Sequence, residues 1–415
     1  MLKAVVFNLG CKVNQYECDL LLSELDARGY STSQDLCYAD LYVVNTCAVT
    51  GEAERKSRQI ISRIRKLNPE AKIIIIGCAS QKNKDFYLNK NVTYVGGVAG
   101  KQRVLEEIDN NIFEGNFILP TIYEDTTIIP KQERTRAYVK IQDGCNNFCT
   151  YCIIPYLRGR SRSRKIESCV REIEELAKST NEIVITGINL AQYGLDNGET
   201  LAELMEALKH VNARLRLGSF YVEGITEELL NALKSLKDFC PHFHLSLQNG
   251  DEQVLKSMNR RYSPKEYLQK VELIRSYFPL ASITTDIIVG FYSETDTSFE
   301  NTLNFVKEVG FADIHIFPYS QRIGTKAYGK PLIPSEVIKE RKERLRVLKE
   351  ELNKKYLLLM LNSYHKVIFE TEEEGLKVGY SEYYVRIYCK TNKDCAIIKP
   401  LSLYEDGIIG EIVDE

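Results

Sequence analysis

Three cysteines lie close together near the middle of the chain and could bind a metal centre. They are Cys145, Cys149 and Cys152, in the stretch GCNNFCTYC, with the spacing C-x3-C-x2-C. Thiolates at such short spacing bind iron–sulfur clusters or zinc. Structural zinc normally takes four protein ligands, and no fourth cysteine or histidine lies nearby in the sequence. Three thiolates would leave one iron of a four-iron cluster open for chemistry; a zinc site and three unrelated cysteines are the alternatives.

A second set of cysteines is widely spaced but shares a local pattern. Cys11, Cys47 and Cys78 each follow a predicted β-strand, in VVFNLGC, YVVNTC and IIIIGC. The carboxyl ends of parallel strands meet at one edge of a sheet, so these three thiols can converge in space. Gly10 and Gly77 precede two of them and permit tight turns. We therefore predict a second three-thiolate cluster with an open iron; zinc and unrelated apolar cysteines remain the alternatives.

The elements that must position the second set alternate between strands and helices. Three β-branched runs, Leu2–Asn8, Leu41–Asn45 and Lys72–Gly77, are separated by amphipathic helical patterns. Such alternation predicts a parallel sheet covered by helices on both faces. A segment with little periodicity, ILPTIYEDTTIIPKQERTR, follows as a linker.

The alternation resumes around the three closely spaced cysteines. Six candidate strands follow one another between Ala137 and Pro318: AYVKIQ, EIVITG, RLRLGS, HFHLSL, SITTDIIVG and ADIHIF. They could form a partial barrel or an open sheet, and in either case the functional residues should lie at the carboxyl ends of the strands. A helix from about Ser335 to Met360 carries one apolar stripe, and the tail from His365 is rich in Val, Ile and Tyr, which predicts a small β-barrel or sandwich.

Several polar residues occupy strand positions that are apolar in an ordinary barrel. One set shares a strand face in HFHLSLQNG, a second shares a face in ITTDIIVGF, and a third ends the strand EIVITG: His242, His244, Ser246 and Gln248; Thr284, Asp286 and Ile288; Gly187, Asn189 and Gln192. Alternating residues of a strand point to the same side. These sets predict a ligand cavity, with a solvated outer face and ordinary turn chemistry as the alternatives.

Positive charge is concentrated beside the first three cysteines. The chain has a net charge of −2 and a pI of about 6.3, which excludes a globally basic nucleic-acid binder. From Lys131 to Lys165, however, nine Lys or Arg stand against two acidic residues. We predict that Arg158, Arg160, Arg162 and Arg164 neutralise nucleic-acid phosphates, or else form a generic charged loop. The tail from His365 is acidic, with six basic and eleven acidic residues.

Length and composition bound the class of protein. The chain has 415 residues, 44% of them hydrophobic, enough for two to three domains. No signal-peptide pattern or membrane-spanning apolar stretch occurs in the sequence, so we expect a soluble, cytoplasmic protein that does not enter a membrane. The remaining six of the twelve cysteines are expected to be free thiols: Cys18, Cys37, Cys169, Cys240, Cys389 and Cys395.

The stretch CNNFCTYC resembles the signature of the radical S-adenosylmethionine enzymes. The resemblance implies that Cys145, Cys149 and Cys152 hold a 4Fe-4S cluster whose free iron chelates the methionine part of S-adenosylmethionine, yielding a 5′-deoxyadenosyl radical. It also implies that Tyr151 lies near the adenine. Other expected cofactor-binding residues are Gly187, Asn189, Ser246 and Gln248.

With two such cluster sites, the chain is similar over essentially its whole length to the methylthiotransferases of this superfamily. The resemblance implies an α/β chain in five parts: an N-terminal domain with a flavodoxin-like parallel sheet (1–115), a linker (116–133), a radical S-adenosylmethionine domain with a partial (β/α)6 barrel (134–332), a connecting helix (333–362) and a small all-β TRAM domain (363–415). The stretches NLGCKVNQYE and NTCAVTGEAERKSR, including Lys12 after the first cysteine, most resemble the enzymes that modify N6-threonylcarbamoyladenosine in tRNA.

The function that this resemblance implies is methylthiolation of C2 of N6-threonylcarbamoyladenosine at position 37 of tRNA, giving 2-methylthio-N6-threonylcarbamoyladenosine. Two 4Fe-4S clusters and S-adenosylmethionine are the implied cofactors. The implied partners are the tRNA anticodon loop and an electron donor such as flavodoxin. We predict no catalytic side chain beyond the six cysteine ligands. The alternatives are methylthiolation of isopentenyladenosine in tRNA or of an aspartate of a ribosomal protein, or a two-cluster electron-transfer protein without catalysis.

Overall fold

The amino-terminal unit is a parallel sheet flanked by helices. The computed structural model describes residues 1–130, 132 and 135–413. The strands of this unit are β1 (Lys3–Asn8), β2 (Ser31–Ser33), β3 (Leu41–Thr46), β4 (Lys72–Gly77) and β5 (Tyr94–Val95). Its helices are α1 (Lys12–Ala27), α2 (Gly51–Leu67), α3 (Cys78–Lys82), α4 (Lys84–Leu88) and α5 (Val104–Asp109), with a short 3-10 turn at Lys101–Arg103. The strand order β2-β1-β3-β4-β5, with all pairs parallel, confirms the predicted flavodoxin-like sheet.

The apolar run KIIIIG of β4 explains why helices cover both faces of this sheet. Successive side chains of a strand point to opposite faces. Ile73 and Ile75 accordingly pack in the same core cluster as Ile60 of α2. Ile74 packs on the other face with Leu21 of α1. A strand that is buried on both faces reads as a continuous apolar run.

The linker crosses from the first unit to the second without regular structure. Residues 116–130 contain neither helix nor strand in the described chain. Tyr123 nevertheless anchors the linker, because its hydroxyl donates to the Lys140 carbonyl at 2.7 Å. Lys131, Glu133 and Arg134 lie outside the described residues, and so does the predicted boundary at 133/134.

The central unit is a partial barrel. Its strands are β6 (Arg136–Asp143), β7 (Arg162–Ser163), β8 (Glu182–Gly187), β9 (Arg214–Leu217), β10 (His242–His244), β11 (Ser282–Val289) and β12 (Asp313–Pro318). Its helices are α6 (Ile154–Arg158), α7 (Ile166–Leu176), α8 (Leu201–Ala207), α9 (Glu227–Ser235), α10 (Glu252–Ser257), α11 (Pro264–Tyr277) and α12 (Asp296–Val309), with 3-10 turns at Leu190–Gln192 and Val222–Gly224. All six predicted strands are present, and β7 is an additional short edge strand, antiparallel to β6.

Parallel pairing continues across this unit. The sheets β7-β6-β8-β9 and β10-β11-β12 are joined by parallel bridges between Leu215 and Phe239 and between Phe220 and Leu245. The carboxyl ends of β6, β8 and β10 therefore lie at one rim. This is the rim at which a barrel of this kind carries its functional loops.

A long helix connects the barrel to a small β-domain. The stripe of α13 (Ser335–Met360) packs on the central core through Ile338, Leu345, Leu348 and Leu352. Leu359, which the helical spacing of the apolar residues would place in the same stripe, is 47% exposed. Leu357 and Met360 are buried instead, since the helix end meets a second core formed by the C-terminal domain.

The C-terminal domain is a closed β-barrel. Its strands are β13 (His365–Glu373), β14 (Leu376–Ser381), β15 (Arg386–Cys389), β16 (Cys395–Tyr404) and β17 (Gly407–Ile412), in the order β13-β14-β15-β17-β16. The predicted all-β domain is confirmed, and the barrel alternative is the one observed. Among the described residues, the helices lack the length and apolar character needed to cross a bilayer.

Candidate active site

The loop after β6 carries the three closely spaced cysteines at the rim of the barrel. Gly144 begins the loop with φ +73°, and a Cβ at this position would lie 1.9 Å from the Arg160 carbonyl oxygen. Backbone bonds then fold the loop on itself, with Cys145 N–H donating to the Gly159 carbonyl at 3.1 Å and Cys152 N–H donating to the Cys149 carbonyl at 2.9 Å. The loop is fixed by its own backbone.

The chemistry of these thiols fits a metal cluster. Cys145 and Cys149 are buried, with 7% and 4% of their surface exposed. Burial raises the pKa of Cys145, and burial together with the neighbouring Cys149 raises the pKa of Cys152 to about 12. Three thiolates crowded together in such surroundings need a positive centre that binds them.

Two buried side chains donate hydrogen bonds to the sulfur atoms. Asn189 Nδ2 lies 3.6 Å from Cys145 Sγ, and Arg260 Nη1 lies 3.6 Å from Cys149 Sγ. The Arg260 guanidinium also stacks over the Tyr221 ring at 4.3 Å from its centroid. Hydrogen bonds to the sulfurs are a means by which proteins tune iron–sulfur clusters. Sequence reasoning identified Asn189 but missed Arg260, because no pattern in MNRRY distinguishes it.

The other residues predicted to bind a cofactor make contacts of several kinds near this loop. Tyr151 packs edge-on against Phe291, with ring centroids 6.2 Å apart. Gly187 ends β8, two residues before Asn189. The Ser246 carbonyl accepts hydrogen bonds from Arg260 and, at 2.7 Å, from the Tyr262 hydroxyl.

Both predicted glutamines, Gln192 and Gln248, form hydrogen bonds within the protein in this structure. Gln248 has φ +73°, and its N–H donates to the Asp286 carbonyl at 2.8 Å. Gln192 holds the cysteine loop, since its Oε1 accepts from Asn146 N–H at 2.9 Å and its Nε2 donates to Asn147 Oδ1 at 2.8 Å. For all of these residues, contact with S-adenosylmethionine stays a prediction.

The second set of cysteines follows three neighbouring strands of the amino-terminal sheet. Cys11 is the N-cap of α1 after β1, Cys47 follows β3, and Cys78 begins α3 after β4. Gly77 has φ +107°, and a Cβ there would lie 2.5 Å from the Thr46 carbonyl oxygen. Only glycine accepts both the backbone angle and the contact without strain.

The charge of each neighbouring thiol acts on Cys11 and on Cys47 in this set. Burial raises the pKa of Cys47 to about 11, and the neighbouring Cys78 and Cys11 add to the effect. Burial likewise raises the pKa of Cys11, and Cys78 contributes again. The predicted convergence of the three strand ends therefore brings the thiols into one neighbourhood, with a donor set that suits a cluster.

The spacing within each trio argues against a single zinc ion. Tetrahedral zinc with Zn–S bonds of about 2.3 Å holds its sulfurs roughly 4 Å apart. Within the described residues, neither trio belongs to a set of three metal-ligating side chains whose donor atoms all lie within 4.8 Å of one another. A cluster at either trio stays a prediction.

A buried arginine links the two trios. Arg158 lies in α6, just after Cys152, and has no exposed surface. Its Nη1 donates to Glu17 at 3.1 Å and to both Asp143 oxygens at 3.0 Å, and its Nη2 donates to Asn14 at 2.6 Å.

The charge of Arg158 also acts on the thiols of the amino-terminal trio. It lowers the pKa of Cys11 against the effect of burial. Since Arg158 reaches α1 from the loop that carries the central trio, the two sets of cysteines share one side of the molecule.

The prediction that four arginines form a phosphate-binding run is wrong for three of them. Arg158, Arg162 and Arg164 are at most 3% exposed, because they pair with buried carboxylates. Arg162 lies 3.2 Å from Asp143, and Arg164 pairs with Glu172. Arg160 alone in this set is exposed, with its guanidinium 4.5 Å from the centroid of the Phe148 ring.

The polar strand faces line a cavity inside the barrel. His242, His244, Thr284 and Asp286 all face it. His244 Nε2 lies 3.2 Å from Asp286 Oδ2, and His315 Nδ1 lies 3.2 Å from Asp286 Oδ1. For these four residues the structure shows a cavity, whereas Ser246, Gln248 and Ile288 of the same two sets are not among the residues that line it, and a bound ligand stays a prediction.

Two family models match the chain. The radical SAM superfamily matches residues 139–306, and the uncharacterized protein family UPF0004 matches residues 3–99. The chain is 38% identical to the threonylcarbamoyladenosine tRNA methylthiotransferase MtaB of Chlamydia pneumoniae, over 98% of this chain and 97% of the relative. It is 39% identical to the protein of that name from Thermotoga maritima, over 96% of this chain and 94% of the relative.

A solved structure shares the fold. The radical S-adenosylmethionine methyltransferase TsrM from Kitasatospora setae aligns with a TM-score of 0.56 at 14% identity, over 77% of this chain and 75% of that chain. At this identity the likeness concerns the fold alone. The relatives that match over nearly the full length, together with the two family models, give the assignment. The chain therefore belongs to the radical S-adenosylmethionine family of tRNA methylthiotransferases.

Proposed function

We propose that the protein converts N6-threonylcarbamoyladenosine at position 37 of tRNA into its 2-methylthio derivative. The observation that carries this proposal is that two separate trios of thiols lie on one side of the molecule and are linked through Arg158. The choice of substrate is supported by the relatives at 38% and 39% identity, whose names specify threonylcarbamoyladenosine.

In this proposal each trio holds its own 4Fe-4S cluster. Cys145, Cys149 and Cys152 would hold the cluster that works with S-adenosylmethionine, and a trio of Cys11, Cys47 and Cys78 would hold the second. When bound, these groups supply the radical that activates C2 and the sulfur that is transferred to it. An electron donor such as flavodoxin would serve the first cluster.

The protein's own residues then have three tasks. Asn189 and Arg260 orient the thiols of the first trio through hydrogen bonds to sulfur. Tyr151, Gly187, Ser246 and Gln248 would bind S-adenosylmethionine. We infer that α1, which packs against β6 and β8 of the barrel, helps to keep water from a reactive intermediate.

The target base has to leave its stack to reach such a site. Bases in a single-stranded anticodon loop are unstacked at least cost. Arg160 is exposed beside Phe148 at the rim of the barrel, and we infer that it contacts a backbone phosphate. Phosphate contact is thereby assigned to one arginine of the run, since the other three are neutralised inside the protein.

Nucleoside mass spectrometry tests the proposal. tRNA from cells that lack this protein should lose 2-methylthio-N6-threonylcarbamoyladenosine and accumulate the unmethylthiolated nucleoside. The wild-type gene should restore the product, whereas a triple alanine variant of either trio should not. A double variant, Cys37→Ala with Cys395→Ala, is the matched control, because both cysteines lie outside the trios and should be dispensable.

The outcomes separate the alternatives. Loss of the 2-methylthio form of isopentenyladenosine, or of methylthioaspartate on a ribosomal protein, with the threonylcarbamoyl product unchanged, would refute the proposed substrate. Unchanged methylthiolation of all three would support a non-catalytic electron-transfer protein. Anaerobic iron and sulfide counts on the two triple variants show whether each trio holds about half of the cluster iron.

A further inference from the structure

The cavity inside the barrel receives residues from all three units of the chain. It has a volume of about 580 Å³. Lys12 enters it from α1, His242 from the barrel and Tyr384 from the C-terminal domain. Small-molecule sites typically measure about 300–1,000 Å³. The cavity is therefore large enough to accept a substituent of a nucleobase.

Most of the charged side chains that line the cavity have a counter-ion. Arg216 pairs with Glu182 at 2.9 Å, and Asp313 pairs with Lys349 at 3.0 Å. The remaining pairs are Asp286 with His244 and His315, and Arg386 with Glu373 and Asp406.

Lys12 differs from these residues. In the described part of the chain, its ammonium group has neither an ion-pair nor a hydrogen-bond partner. It is exposed, and Arg216, a second cation, lines the same cavity. An unpaired cation in such a place is stabilised by an anion that enters the cavity.

The geometry points to Lys12 as the residue that recognises the carboxylate of the threonyl group on N6 of the substrate base. This inference rests on the proposed function, in which the base carries that group. The cavity then accommodates the threonylcarbamoyl substituent, whose carbamoyl and hydroxyl groups can bond to polar side chains such as Thr284.

The position of Lys12 along the chain fits this role. It follows Cys11 directly, and its side chain extends from the amino-terminal trio into the cavity. In adenine, C2 and C6, the carbon that carries N6, both adjoin N1, so the N6 substituent leaves the ring at the same edge as C2 but in a different direction. A base whose C2 faces the trio of Cys11, Cys47 and Cys78 would direct this substituent towards Lys12.

The same feature discriminates against an apolar substituent. An isopentenyl group offers no acceptor to the Lys12 ammonium. When such a group fills the cavity, it displaces water from the ammonium and leaves it unpaired. Sites built around a buried polar partner reject analogues that lack the matching group much more strongly than apolar pockets reject small changes of shape.

A pair of substrates that differ only in charge tests this inference. Anticodon stem-loops with N6-threonylcarbamoyladenosine, as the free acid or as its neutral methyl ester, are given to the reconstituted enzyme. We expect wild type to prefer the acid by roughly 10- to 100-fold in kcat/KM, as a charged hydrogen bond provides. In Lys12→Gln the preference should fall close to one, and Lys12→Arg should restore part of it. Binding of both stem-loops, measured by fluorescence anisotropy, should change in parallel.

The acid-over-ester preference is a ratio of two kcat/KM values from one enzyme preparation. Incomplete cluster loading or partial unfolding lowers both values equally and therefore cancels from the ratio. Lys72→Gln, at the exposed amino end of β4, is the matched control and should keep the wild-type ratio. A Lys12→Gln enzyme that retains the wild-type ratio, or a wild type with no preference, would overturn the role of Lys12 while leaving the proposed function intact. A wild type that modifies neither stem-loop but modifies one with isopentenyladenosine would overturn the proposed function itself.

Discussion

At the residue scale, Arg158 carries a buried positive charge between the two trios. Its carboxylate partners Glu17 and Asp143 are 6% and 3% exposed. Arg158→Met removes the guanidinium and leaves these buried charges with Lys101, Lys140 and Arg162. We expect the free energy of unfolding to fall by about 3 kcal/mol, which is the lower end of the range measured when one partner of a buried ion pair is removed. Urea denaturation of the apoprotein measures it.

The neighbouring Arg160 supplies the control. It is exposed, and Arg160→Met should change the free energy of unfolding by no more than about 0.5 kcal/mol. Equal urea midpoints for the two variants would contradict the role of the Arg158 network. The comparison also isolates burial as the variable, since both residues belong to the same arginine-rich stretch.

The same network makes stability depend on acidity. Burial alone would raise the pKa of Glu17 and of Asp143, but Arg158 and Lys140 lower both well below their ordinary values. A lowered carboxyl pKa contributes stability above its unfolded value and loses it as pH falls towards the folded value. We expect the urea midpoint to decline below about pH 4.5, and to decline less in Arg158→Met. Parallel declines would contradict this assignment.

At the scale of elements, the turns before the cysteines are the most constrained segments of the site. Gly77→Ala would bring a Cβ within 2.5 Å of the Thr46 carbonyl, and Gly144→Ala within 1.9 Å of the Arg160 carbonyl. Each substitution should displace one cysteine and remove about half of the iron that wild type binds. Gly29→Ala is the control, because Gly29 also has a positive φ (+81°) but nothing within 4 Å of an added Cβ. Full iron binding by Gly77→Ala would exclude a cluster at the second trio.

The regular elements were accessible from the sequence, and several contacts between them were not. The apolar run of β4 and the strand-end positions of Cys11 and Cys78 follow from local periodicity, which is why a parallel sheet could be expected. The partners of Arg158 could not be predicted from the sequence, because Glu17 lies 141 positions away and nothing local marks it as a counter-ion. The exposed arginine run was mispredicted for this reason: charge is visible in a sequence, but its neutralisation by distant residues is not.

At the scale of the whole molecule, the C-terminal barrel forms a wall of the cavity that Lys12 lines. Arg214 Nη2 donates to the Lys366 carbonyl at 2.7 Å and joins this domain to the central barrel. Tyr384 lies with its ring centroid 4.2 Å from the Arg216 guanidinium and 4.7 Å from the His242 ring. The domain therefore contributes directly to this cavity.

Tyr384 tests this role of the domain. Tyr384→Ala removes the ring that covers Arg216 and opens the cavity to bulk water, which weakens every electrostatic contact inside it. We expect kcat/KM for the threonylcarbamoyladenosine stem-loop to fall roughly 5- to 10-fold, while iron content stays at the wild-type value because the ring touches Arg136, Arg216 and His242 rather than the cysteine loops. Tyr384→Phe keeps the ring and loses only a hydroxyl that accepts from Arg136 at 3.3 Å, so it should remain within about twofold of wild type. If the alanine variant matched the phenylalanine variant in kcat/KM, the C-terminal barrel would act outside the cavity, as an RNA-binding appendage alone.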